Sequence, residues 1–575
     1  MMKTKKMLSV LLAVMMLSST AIMAGCNPSG GGGGGIGGGT GVTEKVDKNR
    51  TQLYVGNYNG GYGDVWLQAL KTRFEEEYKD VSFETDKMGV QVIIDNKKEE
   101  YKSWENLSTT IEKSKNAIYF TEGISQKALI DGNYILEISD LLTTPLSEYG
   151  ETESIQDKMD DVQKAYFFQN NKCYSLPTYN AFFGFIYDID LFESYGLYFA
   201  ADTNNGNDGF VIATTDAKSN GPDGKSGTSD DGLPATYDDF FKLCDRMQDA
   251  GIMPLIWSGE YESSYIRQLA GALWADYEGK ENALKFYSLT GSVEVVDSID
   301  ANGNATLKTI DMSTANGYEV YGQAGRYYSL KFIEQMVRGG AIERYWQGMS
   351  FNLTQSHTNA QEDYLYSKYE QGSKPIAMLA DGVWWQSEAD LVFSDMEEGG
   401  YGSVASKANR KFGFMPMPKA TSAQVGEKVT LLDMLGAKVF VNANVANNSV
   451  QKDLASKFIR FIHTDKSLSE FQGITNIPKA FNYTLAAEDE AKLTHFGKVV
   501  SNMAQTADIV YEYPLNAMVE GMQNTGNTLS AYMTTIERLP YSDVGRTFNQ
   551  YSFTAKDYFV GIRDYYYTNW QKFGG

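Results

Sequence analysis

The segment KPIAMLADGVWWQSEADLVF, residues 374–393, organises the reading of the chain. Its apolar run Ile376-Ala377-Met378-Leu379-Ala380 reads as a buried strand. Asp381-Gly382 breaks the run, and Trp384 and Trp385 follow. A helix-like piece with Leu391 and Phe393 comes next. A strand ending in a glycine turn with aromatics at its tip presents a flat apolar face at a cleft rim. Indole faces suit the C–H faces of sugars. Both tryptophans fit a core equally well, because Trp is highly buried on average.

The spacing Ala377-Met378, Gly382, Trp384 after a strand resembles the second-lobe segment of family-1 extracellular solute-binding proteins, the maltodextrin-binding-like receptors of sugar ABC importers. Trp384 falls where that family often carries a sugar-stacking aromatic; Asp381 and Trp385 beside it are further candidate contacts, although a persisting strand pleat points Trp385 the other way, where its loss costs stability. Two further blocks resemble the family. Residues 173–197, CYSLPTYNAFFGFIYDIDLFESYGL, are similar to its crossing between lobes, and residues 233–260, LPATYDDFFKLCDRMQDAGIMPLIWSGE, to the segment after it. The resemblance places Tyr179 and Asn180 at the hinge floor, and Trp257 and Glu260 at the cleft end of a strand. Phe412–Pro418 and Gly473–Pro478 are similar to its exit from the second lobe and its late hinge.

At the start of the chain, Lys3, Lys5 and Lys6 precede an apolar run that ends Met23-Ala24-Gly25-Cys26. This resembles a bacterial lipobox, with cleavage before Cys26 and a lipid on its sulfur. Gly30 to Gly39 is interrupted only by Ile36 and forms a flexible tether. An ordinary secretory signal with an incidental cysteine is the plainer alternative.

The 575 residues suffice for two large cores. Without the signal's lysines, 48 basic residues face 73 acidic ones. A body so acidic repels nucleic acid and anionic lipid but accepts a neutral ligand. Cys173 and Cys244 have no framework spacing and read as free buried thiols. The three histidines are too scattered for a metal site, and no HExxH, GxSxG or P-loop pattern occurs.

Leu53–Val55, a Gly- and Tyr-rich loop to Asp64, and a helix with Trp66, Leu70 and Phe74 form an opening βα unit. Ligands bind such sheets at the carboxyl ends of their strands, which makes Tyr58, Tyr62 and Asp64 candidate contacts. Val90–Ile94 is a second strand, residues 101–111 are helical, and Ala117–Phe120 is a strand that delivers Glu122 to the same edge. Thr236 with Asp239 makes a capping box. Within an insertion over roughly 200–232, Asp223, Asp230 and Asp231 among glycines resemble calcium loops. The EF-hand pattern fails there, and a plain solvated loop is the competing reading. A second insertion, residues 279–321, reads as a hairpin around Asn302-Gly303.

The resemblance implies an α/β, two-lobed periplasmic-binding-protein fold (Venus flytrap, type II) with insertions in the second lobe. Its divisions are signal peptide 1–25, lipid-anchored tether 26–50, N lobe 51–179 and 421–475, and C lobe 180–420 and 476–575. It implies capture of an oligosaccharide, delivery to ABC permease subunits, no catalysis and no required cofactor, with calcium as an extra. It also implies a monomer held on the outer face of the cell membrane. A surface glycoside hydrolase using Glu122 and Glu260, or a non-sugar receptor on the same fold, is the alternative. The lipobox reading predicts that Cys26→Ser abolishes incorporation of labelled lipid and leaves the protein unprocessed or released.

Overall fold

A computed structural model describes residues 44–434, 436–524 and 544–573. The signal segment, Cys26 and the glycine tract lie outside the described residues. No described helix is long and apolar enough to cross a membrane.

The strands are β1 (Thr51–Asn57), β2 (Val90–Asn96), β3 (Ile118–Thr121), β4 (Ser175–Pro177), β5 (Phe183–Asp188), β6 (Met253–Ile256), β7 (Gly291–Ile299), β8 (Ala305–Met312), β9 (Ile376–Gly382), β10 (Phe412–Met415), β11 (Thr430–Asp433), β12 (Lys438–Val441) and β13 (Asp508–Tyr511). The helices that matter below are α1 (Val65–Glu77), α2 (Tyr237–Asp249), α3 (Glu262–Ser288), α4 (Ala324–Arg338), α5 (His357–Ser367), α6 (Ser449–Ile462), α7 (Asp465–Thr475) and α8 (Ala555–Asn569).

One sheet has the order β2-β1-β3-β12-β4 and belongs to the first lobe. Its β1 runs parallel to β2 and β3, and the returning β12 is antiparallel to β3 and β4. The second lobe's sheet has the order β10-β5-β9-β6. The run at residues 376–382 is therefore an interior strand, parallel to β6 and antiparallel to β5, and all seven residues are buried. Cover on both faces explains why it reads as unbroken apolar sequence.

Helix α1 buries Trp66, Leu67, Leu70 and Phe74, and Phe74 meets Phe458 of α6 with ring centroids 5.0 Å apart. Helix α2 carries the expected Thr236–Asp239 capping box and buries Phe240, Cys244 and Met247. Gly251, at φ +74°, takes the left-handed turn that sends the chain back into β6. The helix expected over 101–111 is shorter, Trp104–Thr110, because Ser103 caps it by accepting from the Asn106 N–H. Cys173 and Cys244 are free and buried.

Three segments pass side by side between the sheets. The Thr178 N–H donates to the Ala437 carbonyl at 3.3 Å, and that of Asn180 to the Pro478 carbonyl at 3.2 Å. The Ala181 N–H donates to Asp433 Oδ2 at 2.8 Å. Tyr179 and Lys479 form an antiparallel bridge.

The second insertion is the antiparallel hairpin β7–β8, with a bulge between Val296 and Ser298. The C-terminal helix α8 covers it. Tyr566 stacks on Tyr321 at a 7° interplanar angle, and Arg563 Nη1 donates to the Val296 carbonyl at 3.1 Å.

A buried ion pair ties α3 to the segment leaving the second lobe. Lys419 Nζ lies 2.9 Å from Asp276 Oδ2, with side chains 0% and 3% exposed, and the Thr430 N–H donates to Asp276 Oδ1 at 3.0 Å. Desolvation raises the Asp276 pKa, and Lys419 opposes the shift. Lys419→Met leaves a buried carboxylate without its cation and should cost ~3–5 kcal/mol in urea unfolding. Adding Asp276→Leu should recover most of that loss.

Candidate functional site

Strands β1 and β3 run parallel, so their carboxyl ends share one edge. The Tyr58 N–H donates to the Phe120 carbonyl at 2.9 Å, which brings the loop after β1 against the end of β3. Tyr62 is buried there. Its ring centroid is 4.2 Å from that of Tyr179, and its hydroxyl donates to the Asn180 carbonyl at 3.3 Å. The Tyr179 hydroxyl donates to Glu122 Oε1. Burial pushes the Glu122 pKa up to about 7, against the pull of Tyr179, Lys98 and Tyr58. Tyr58, Glu122 and Tyr179 remain partly exposed, so solvent reaches this edge.

The second lobe answers with the end of β9. Trp384 is 7% exposed and meets Tyr62 edge-on, with centroids 6.5 Å apart and planes at 75°. Gly61 permits this approach: a Cβ there would lie 2.7 Å from Trp384 Cδ1 and 3.0 Å from Glu388 Oε1. Glu388 sits one helical turn after Trp384, on the short helix Trp385–Glu388. Gln361 of α5 bridges two acids, its Nε2 donating to Asp381 Oδ2 at 3.0 Å and to Glu388 Oε2 at 2.8 Å. The Gly382 N–H donates to Asp381 Oδ1 at 2.7 Å. His357 Nε2 is 3.6 Å from Glu388 Oε1. Burial raises the pKa of both Asp381 and Glu388, and Asp381 raises Glu388 further. Burial lowers the His357 pKa, which favours its neutral form.

Tyr58, Tyr62, Glu122, Tyr179, Asp381 and Trp384 thus gather around one cleft between the two sheets, and Asn180 supplies a hinge carbonyl beneath it. Of the four other expected contacts, three lie elsewhere, and Glu260 stands near His357. Trp385 is fully buried among Tyr364, Phe393, Phe412 and Phe496. Trp257 is fully buried beside Trp346 and Phe351. Both are core, because the chain turns helical or packs on the sheet's far layer directly after each strand. Asp64 Oδ2 accepts from Asn96 at 2.7 Å and from Gln68 at 3.0 Å, fixing the start of α1. Glu260 is exposed, and its charge acts on Tyr261 and His357.

The site residues not foreseen are Gly61, His357, Gln361 and Glu388. Glu388 carried a legible signal, its i, i+4 spacing from Trp384. Gln361 and His357 carried none, since their helix reaches the site only through tertiary packing.

Asp223, Asp230 and Asp231 do converge, on the Thr228 hydroxyl. It lies 2.6 Å from Asp230 Oδ1, 3.3 Å from Asp231 Oδ1 and 3.4 Å from Asp223 Oδ1. Among the described residues no group of three or more acid, His or Cys side chains has the geometry to hold a metal ion.

No protein-family model matches the sequence, and no curated protein matches it. Solved structures do match in fold. A protein described as a chitin oligosaccharide binding protein superposes with TM-score 0.52 at 14% identity, over 89% of this chain and 100% of that one. A protein solved in work on xylan utilization by the thermophilic bacterium Caldanaerobius polysaccharolyticus gives 0.53 at 13% identity, over 89% and 99%. The solute-binding protein RafE, solved in complex with raffinose, gives 0.50 at 12%, over 89% and 99%. The fold is that of the two-lobed solute-binding proteins.

The two adjacent tryptophans should separate by experiment. Trp385→Ala empties a fully packed core site and should cost ~3–5 kcal/mol of stability. Gly61→Val should leave the melting temperature within a few degrees, yet hold the cleft apart. Small-angle scattering checks this: the variant should have the larger radius of gyration.

Proposed function

We propose that this protein is the extracellular receptor of a carbohydrate ABC importer, and that it holds its sugar at the cleft where Tyr62 of the first lobe meets Trp384 of the second. The observation that carries the reading is the convergence of aromatic faces and carboxylates from opposite lobes. Aromatic rings cover the apolar faces of a pyranose, and carboxylates accept its hydroxyls. A ligand that touches both lobes selects the closed state. The fold and the names of its structural relatives support this. In the same reading the lipid on Cys26 anchors the receptor, and the closed form docks on permease subunits.

Binding without hydrolysis is part of the proposal. Incubation with oligosaccharides should release no new reducing ends. A thermal-shift screen over neutral and charged oligosaccharides identifies the ligand, and calorimetry measures it. Trp384→Ala should weaken that binding by ~2–3 kcal/mol while the protein stays folded. Unchanged affinity would remove Trp384 from the site.

A further inference from the structure

The cleft holds an imbalance of hydrogen-bonding groups. Glu122 comes from the first lobe, and Asp381 and Glu388 from the second. Among the described residues no lysine or arginine forms an ion pair with any of the three; the sole basic neighbour within ion-pair distance is His357. Lys98, exposed beyond β2, acts on Glu122, Glu388 and His357 from a distance. The remaining titratable neighbours of Glu388 are acids or tyrosines: Asp381, Glu122, Tyr58, Tyr62 and Tyr265.

A second observation comes from Gln361. It is fully buried, its amide nitrogen is committed to Asp381 and Glu388, and its Oε1 has no partner. Tyrosine hydroxyls, Gln361 and the Gly382 N–H already donate to the acids, so the acceptor left without a donor is Gln361 Oε1, beside acids that no lysine or arginine pairs with. A buried acceptor without a donor is costly, and so is a buried carboxylate without a cation. Rings of Tyr58, Tyr62 and Trp384 stand beside these acids, and aromatic faces attract cations. The chain's net charge of −22 draws cations to it in general.

We infer that the cleft is built for a carbohydrate bearing a protonated amine, with the ammonium seated on Glu388 and Gln361 Oε1 and the sugar ring beside the Tyr62–Trp384 contact. The inference rests on the carbohydrate reading above and narrows its ligand class. An ammonium supplies three donors and one positive charge, which serve Gln361 Oε1 and these acids. Burial raises the pKa of all three carboxyls toward neutrality. An arriving cation favours their ionised forms, so binding releases protons to the buffer.

The test is calorimetry at pH 7 on the whole folded receptor, with three tetrasaccharide probes: a glucosamine oligomer, its N-acetylated form and a neutral glucose oligomer. The glucosamine oligomer should bind at least about tenfold tighter than the other two. Its apparent enthalpy should vary with the buffer's ionisation enthalpy in the direction of proton release. Glu388→Gln, checked by its melting curve, should remove both the preference for the amine and the proton release. Glu122→Gln gives a second measure should Glu388→Gln fold poorly. A neutral or N-acetylated oligomer that binds as tightly as the amine overturns this inference and leaves the carbohydrate reading standing. Spermidine binding as tightly as the amino-oligosaccharide overturns the sugar in both readings, and binding of none of the probes overturns the inference.

Discussion

The architecture depends on the hydrogen bonds that lace three chain segments together between the sheets. The Ala181 N–H donates to Asp433, whose carboxyl burial pushes up to about 8. The first and second crossings also share the Thr178–Ala437 bond, and the first and third share the Asn180–Pro478 bond. Each crossing alone is a few residues of loop. Side by side they form a strip that can bend at its backbone torsions without losing the bonds across it. Hinges absorb motion in just such short segments. Because β1 and β3 on one side, and β6 and β9 on the other, end near this strip, their carboxyl edges confront each other. The cleft follows from where the strands stop.

That placement explains the chemistry that collects there. Glu122 stands one residue past β3, and Asp381, still in the ladder opposite Gly184, is the next-to-last residue of β9. The lobes then meet through small and flat groups. Gly61 admits the edge of Trp384, and Tyr62 lies against both Tyr179 and Trp384. The acids are pressed together from two lobes, so their repulsion opposes closure, whereas a ligand that satisfies them favours it. The electrostatics and the motion are thus coupled through the same three carboxylates. Gln361 clamps Asp381 and Glu388 to one amide.

Much of this was legible in the sequence. The apolar run at 376–380 could only be short and buried, the Thr236–Asp239 pair announced a helix start, and Asn302-Gly303 announced a hairpin tip. The ends of β1 and β3 pointed to Tyr58, Tyr62 and Glu122. The opposite directions of Trp384 and Trp385 were legible as alternation of neighbours, whereas the cover over an aromatic at a strand end was not. Trp384 and Trp385 are chemically identical neighbours, and the helical turn beginning at 385 sends one to the cleft and the other to the core. Trp257 also follows a strand, yet Trp346 and Phe351 close over it. Local pattern fixes that an aromatic is placed at an edge, but the cover supplied by distant segments decides whether it is reachable. Gln361 and His357 show the converse, polar residues of an ordinary helix recruited by its packing against β9.

Lys479 shows how the hinge and the cleft floor are made one body. Its amine is buried over the rings of Phe471 and Trp66, at 3.9 and 4.9 Å from their centroids, and no carboxylate among the described residues is paired with it. Desolvation lowers its pKa to about 7. A cation in that position is held by aromatic faces. Phe471 in turn lies nearly parallel to Tyr179, with ring centroids 6.1 Å apart, and Tyr179 packs on Tyr62. Lys479 and Tyr179 are bridged through their backbones as well. The third crossing therefore reaches the cleft tyrosines by two routes, one through the backbone and one through the stack of rings.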